Sequence, residues 1–196
     1  ALYCRYYRGS NVVDEMSFAD YVQRVGQFAR RLESELSVKP GARVLISLPN
    51  SPEILVAYGA IFLLGYVAVP LDPDAPKVMV EKIAKDCGAR GIITDKYHSL
   101  DLPKFQIDLD ADEEDVIELA SFPEIPETAL ALIVYTSGTT GRSKGVELTH
   151  AAIQANAEAL RDHQQATLFL RDPGSTELGE KLRNLILATD SEAPVP

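Results

Sequence analysis

The stretch Thr136-Ser137-Gly138-Thr139-Thr140-Gly141-Arg142-Ser143-Lys144-Gly145 crowds hydroxyls, glycines and a lysine into a single loop-sized segment. Glycines let backbone N–H groups converge on an anion, hydroxyls donate further hydrogen bonds, and a lysine adds a point charge. Those residue types in that density suit phosphate. The Walker pattern G-x-x-x-x-G-K-[ST] does not fit, because Ser143 rather than glycine precedes Lys144. A Walker loop also opens directly into a helix, whereas Gly145-Val146-Glu147-Leu148 is short and β-like before a helix expected from Thr149-His150 to about Arg161.

A second chemistry overlaps the same residues. Gly141-Arg142-Ser143-Lys144-Gly145 satisfies G-x-S-x-G, the nucleophile elbow of serine hydrolases. The elbow requires a helix immediately after the serine, then an acid and a histidine from separate places. Here strand-like residues follow, and Asp162 and His163 stand side by side on one predicted helix. Ser143 is therefore the remote alternative.

Other candidates read as structural. Asp108, Asp110 and Asp112 match the first ligands of a calcium loop, but Glu113 occupies the glycine position and Leu119 the bidentate glutamate position. Asp108 to Glu118 is read as a solvated acidic connector. His98 and His150 have no companion at metal-ligand spacing, so no metal site is expected. Asp72 and Asp74, set among prolines, read as turn residues. Tyr135, at the end of an apolar run, reads as core.

The elements that must carry the loop follow from periodicity. Ala129 to Tyr135 is an apolar strand leading straight into Thr136. Phe18 to Leu36 places apolar residues three and four apart, one stripe of an amphipathic helix. Arg43 to Leu48 is β-rich, and Asn50-Ser51-Pro52-Glu53 starts a helix with a capping residue, proline and a carboxylate. Further strands are expected at Tyr66–Val69 and Gly91–Thr94, with a helix from about Lys77 to Cys87 between them. Strands alternating with helices imply right-handed crossovers, so the fold class is α/β, a mostly parallel sheet with helices on both faces.

Composition bounds the rest. The 196 residues carry 19 basic and 29 acidic side chains, a formal charge of −10, and 46% of positions are apolar. A chain this acidic repels phosphate backbones and anionic lipid, so nucleic acid and membrane surfaces are not expected partners. Ile54 to Val69 falls short of a bilayer span and is interrupted by Gly59 and Gly65, which favours a buried helix running into a buried strand. Cys4 and Cys87 lie far apart without a C-x-x-C, reading as two thiols in a reducing compartment. The start of the chain has no basic-then-apolar signal pattern, and position 1 is not Met, which leaves room for an upstream segment.

Tyr135-Thr136-Ser137-Gly138-Thr139-Thr140-Gly141 with Lys144-Gly145-Val146 and Thr149-His150 resembles the phosphate-loop signature of the adenylate-forming (AMP-binding) superfamily. Arg43 to Glu53 and Leu64 to Pro73 are similar to two further stretches of that superfamily, in the same order. The resemblance divides the chain into residues 1–165, an N-terminal part of an adenylation domain, and an unmatched tail at 166–196. In that tail Leu178, Leu182, Leu185 and Ile186 fall on one face of a short helix before a proline-rich end. One departure lies in the loop, where the family usually has proline at the place of Ser143.

The resemblance implies an ATP-dependent ligase that joins a carboxylic acid to AMP, releases pyrophosphate, and passes the acyl group to a thiol of CoA or a carrier protein. It implies that Thr136, Ser137, Gly138, Thr139, Thr140, Gly141 and Lys144 hold the ATP phosphates and the departing pyrophosphate. It supplies ATP and Mg²⁺ as cofactors but assigns no metal ligand and no catalytic residue to these positions. Partners implied are the nucleotide, the acid, and a completing polypeptide, a carrier protein or a second copy of the chain, in the cytoplasm. Thr139 leans toward ligases of the acyl-CoA synthetase type, and so toward fatty or aryl acids. The alternative is a non-catalytic, truncated adenylation-like domain serving binding or assembly.

Overall fold

The computed structural model describes residues 2–8, 11–96, 100–109, 117, 121–136 and 144–162. Outside them lie Ser137 to Ser143, His98, His163, most of the acidic connector, and the tail with its Leu178, Leu182, Leu185 and Ile186. The chain divides into two units, Ala1–Ile153 and Gln154–Pro196. Of the second, the described residues are those of one helix up to Asp162.

The first unit opens with β1 (Leu2–Arg8) and β2 (Asn11–Ser17), an antiparallel pair that the hydrophobic pattern does not announce. Helix α1 (Phe18–Leu36) follows without a linker. Its start is a capping box: the Asp20 N–H donates to Ser17 Oγ at 3.1 Å, and the Ser17 N–H donates to Asp20 Oδ2 at 3.1 Å. Its end is Ser37 in the left-handed region at φ 48°. Strand β3 (Arg43–Ser47), helix α2 (Pro52–Leu63) and strand β4 (Val67–Pro70) come next. Gly65 makes the tight turn between α2 and β4 at φ +64°, where a β-carbon would lie 2.5 Å from Ile125 Cδ1.

Helix α3 (Lys77–Cys87) returns the chain to β5 (Gly91–Thr94), and the short β6 (Lys104–Phe105) lies beside it. Strands β7 (Leu130–Thr136) and β8 (Lys144–Thr149) then lead to α4 (His150–Asp162). Among the described residues the main sheet has six strands in the order β6-β5-β3-β4-β7-β8. Every pair is parallel except β7 with β8.

Alternation along the strands explains why both faces need helices. Val44, Ile46, Ala68 and Ile93 point into one core with Val25, Phe28, Ala29 and Leu32 of α1 and Val56, Ala57, Ala60 and Ile61 of α2. Leu45, Val67, Val69 and Ile92 point to the other core, closed by Val80 and Ile83 of α3. A strand buried on both faces must be apolar at every position, as Val44-Leu45-Ile46 is. The apolar Ile54–Val69 segment is α2 and β4, and among the described residues no helix is long and apolar enough to cross a membrane.

From the acidic connector, Ile117 is anchored on α1. Its N–H donates to Gln23 Oε1 at 3.2 Å, and its side chain lies where a β-carbon on Gly26 would be, 2.1 Å away.

Candidate functional site

Strands β7 and β8 form an antiparallel stem on either side of residues 137–143. Their register opposes Val134 to Val146, Tyr135 to Gly145 and Thr136 to Lys144, so Thr136 and Lys144 are the last facing pair before residues 137–143. Directly opposed residues of antiparallel strands project from the same face with β-carbons about 5 Å apart. Both side chains are exposed, and among the described residues Lys144 has no ion-pair partner. A hydroxyl and an ammonium thus share one side of the loop mouth, an arrangement that can meet an anion with a hydrogen bond and a charge.

The far end of the stem is tied down independently. The His150 N–H donates to the Ala129 carbonyl at 3.1 Å and the Ala151 N–H to the Glu127 carbonyl at 2.8 Å. Thr149 Oγ1 accepts from the Ala152 N–H at 3.2 Å, capping the start of α4. The His150 ring packs edge-on against Phe62 with centroids 5.4 Å apart, and burial lowers its pKa below the ordinary 6.5. Among the described residues its Nε2 is buried without a hydrogen-bond partner, so His150 belongs to the packing at the start of α4.

Tyr135 packs against the second core, as expected, and adds a polar contact the sequence did not announce. Its ring lies over Gly145, where a β-carbon would be 3.3 Å from Tyr135 Cζ and 2.9 Å from Ile133 Cγ2. Its half-buried phenol donates to Asp86 Oδ2 on α3 at 2.6 Å. Burial, and then this hydrogen bond to the carboxylate, push the phenol pKa well up and keep it a donor. Sequence reasoning missed Asp86, which is 49 residues from Tyr135 and carries no local signal.

The remaining candidates resolve individually. The serine-hydrolase reading of Ser143 is corrected: β8 begins at Lys144, so a strand follows the serine where an elbow needs a helix. Asp72 acts as a turn residue, its Oδ1 accepting from the Asp74 N–H at 2.8 Å, and Asp74 pairs with Lys96. Cys4 and Cys87 are half-buried and not disulfide-bonded, and burial raises the Cys87 thiol pKa. Among the described residues no group of three or more His, Cys, Asp or Glu could hold a metal, so none of them is assigned to Mg²⁺. The phosphate part of the expected ligand does fit the chemistry of Thr136 and Lys144. Ser137, Gly138, Thr139, Thr140 and Gly141 lie outside the described residues.

Comparison with known proteins bears on the same residues. The pattern of the AMP-binding enzyme family matches residues 5–175. Tyrocidine synthase 2 of Brevibacillus parabrevis is 32% identical over 155 residues, covering 76% of this chain and 4% of that protein. Surfactin synthase subunit 1 of Bacillus subtilis (strain 168) is 34% identical over 137 residues, covering 68% of this chain and 4% of that protein. The chain therefore spans a small fraction of the length of these relatives. In three dimensions it is similar to the N-terminal subdomain of Klebsiella oxytoca NpsA in complex with 3-hydroxybenzoyl-AMSN, with a TM-score of 0.61, 22% identity, and coverage of 70% of this chain and 35% of that one. With the parallel sheet, its antiparallel β7–β8 stem and the matched residues on it, the chain belongs to the AMP-binding enzyme family, as an N-terminal portion of an adenylate-forming domain.

Proposed function

We propose that this chain provides the phosphate-holding loop of an ATP-dependent ligase that activates a carboxylic acid as its adenylate. In that reaction a carboxylate oxygen bonds to the α-phosphorus of ATP while the bond from that phosphorus to the bridging oxygen of pyrophosphate breaks. A thiol then takes the acyl group and AMP leaves. Ser137, Thr139 and Thr140 donate hydroxyl hydrogen bonds to the β- and γ-phosphates, Gly138 and Gly141 allow close backbone approach, and Thr136 and Lys144 meet the same group from the stem. Lys144 offsets the charge that develops on the departing pyrophosphate.

The observation that carries this reading is the exposed Thr136–Lys144 pair facing across the end of β7 and β8. Similarity to a nonribosomal peptide synthetase and to an adenylation–PCP di-domain supports an amino acid as the activated acid and a carrier-protein thiol as the acceptor, in place of a fatty acid and CoA. The non-catalytic assembly reading differs in needing no phosphate affinity.

Calorimetric titration with pyrophosphate tests the loop. Because the protein is acidic overall, attraction must come from this local cluster, and affinity falls as salt rises. Lys144→Ala weakens binding by about 1–3 kcal/mol, the scale of a lost charge-assisted hydrogen bond. The thermal midpoint barely moves, since the side chain is exposed. Absence of binding by the parent chain to pyrophosphate or ATP at millimolar ligand leaves only the assembly reading.

A further inference from the structure

We propose that Tyr135 and Asp86 act together as positioning residues for the phosphate loop, a role that rests on the phosphate-binding reading above. Tyr135 stands next to Thr136, the last residue of β7 before the loop. Two contacts hold it. Its ring lies against Gly145, the residue directly opposite on β8, where a β-carbon would be a tight 3.3 Å from Tyr135 Cζ. Its phenol donates to Asp86 Oδ2 at 2.6 Å.

These contacts link three elements that are separate in the chain. Asp86 lies on α3, whose Val80 and Ile83 are fully packed in the core beneath the sheet. Strand β8 lies at the sheet's edge and has β7 as its only strand neighbour among the described residues, and Lys144 to Glu147 are exposed. An edge strand of this kind gains little orientation from burial and frays readily. The side chain of Tyr135 supplies what burial does not: it fastens the stem to α3 and sits across the β8 backbone at Gly145. Thr136 and Lys144, one step further along, inherit their spacing from that attachment.

Gly145 has a specific part in this arrangement. Any side chain there would displace the Tyr135 ring or strike Ile133 Cγ2, 2.9 Å from the β-carbon position. The glycine lets the aromatic ring cross to β8, and the ring fills the space that glycine leaves.

Asp86 adds negative charge at the α3 end of this attachment, which by charge alone disfavours an anion, and this gives the test its sign. Removing Asp86 strengthens pyrophosphate binding if only charge matters and weakens it if position matters. Pyrophosphate affinity is measured by calorimetry on the whole chain and on Asp86→Ala, Asp86→Asn, Tyr135→Phe and the Asp86→Ala/Tyr135→Phe double variant. Asp86→Ala and Tyr135→Phe each raise Kd roughly three- to tenfold, the loss expected from one hydrogen bond to a charged acceptor that is only partly buried. The double variant loses no more than either single one, because both remove the same bond. Asp86→Asn keeps an acceptor and loses the charge, so its affinity equals or exceeds the parent's.

Tighter or unchanged binding by Asp86→Ala overturns the proposal, and so does Asp86→Asn failing as Asp86→Ala does. Amide hydrogen exchange of residues 134–136 and 144–146 provides a ligand-free reading. It quickens roughly tenfold in Asp86→Ala and not in Asp86→Asn if the attachment holds the stem. If the parent chain binds no pyrophosphate, the phosphate-site reading fails on its own, and exchange that is unchanged in Asp86→Ala overturns the attachment itself.

Discussion

Gly59 lies in α2 where that helix crosses α1, and replacing it by alanine sets two known effects against each other. Alanine stabilises a helix interior by about 1 kcal/mol relative to glycine. A β-carbon at this position, however, would lie 2.6 Å from Tyr21 Oη and 2.6 Å from Val25 Cγ2. Non-bonded heavy atoms rest at about 3.5–4.0 Å, so each contact overlaps by about 1 Å. Tyr21 meets the new carbon at the tip of a long, half-buried side chain, which gives way by a small turn of the whole side chain about χ1. Val25 cannot move as freely, being 6% exposed, packed in the α1–α2 core, and limited at χ1 by its branched β-carbon.

Overpacking of this kind costs about 1–3 kcal/mol, so Gly59→Ala is expected to destabilise by about 1 kcal/mol net, a drop of about 2–4 °C in thermal midpoint for a chain of this size. In a Val25→Ala background the main obstruction is gone, and the same substitution should stabilise by about 0.5–1 kcal/mol. Urea unfolding of the parent, both single variants and the double variant measures the coupling directly. A stabilising Gly59→Ala in the parent, or equal effects in both backgrounds, would mean that Val25 is not what opposes the β-carbon.

Two further outcomes concern pH and capping. Ser17→Ala removes one side of the capping box and should cost about 1 kcal/mol of unfolding free energy, read from urea melts. Hydrogen bonds from Ser17 hold the Asp20 carboxyl below its ordinary 3.8, so their contribution is present above that value and is lost as pH falls through the lowered one. Melts from pH 7 to 3 should therefore show a flatter acid limb for Ser17→Ala than for the parent. His150 shows the opposite assignment of charge: burial favours its neutral form, so the unfolded chain takes up the proton first and stability declines as pH drops below the ordinary 6.5. The urea midpoint of the parent should be lower at pH 5 than at pH 8, and His150→Gln should narrow that difference. An unchanged difference would show that His150 does not contribute to it.

Much of the fold was legible because burial leaves a local trace. The three-and-four spacing from Phe18 to Leu36 became α1, with Val25, Phe28, Ala29 and Leu32 facing the core. Continuous apolar runs at Val44-Leu45-Ile46 and Gly91-Ile92-Ile93 became strands with a helix on each face. Gly and Pro marked the breaks between them.

Other features had no such trace. The β1–β2 pair escaped because Asn11-Val12-Val13-Asp14 does not alternate and its register shifts twice. The two-residue β6 exists because Phe105 is fully buried beside β5. A run such as Val146-Glu147-Leu148 signals a strand but says nothing of its direction, and the antiparallel pairing with β7 followed only from the assembled sheet. The hydrogen bond from Tyr135 to Asp86 spans 49 residues and joins a strand to a helix that meet because the chain crosses the sheet between them. Residue type and spacing record what each segment must bury, whereas the choice of which segments meet depends on how the whole chain packs, and the orientation of the β7–β8 stem is a property of that packing.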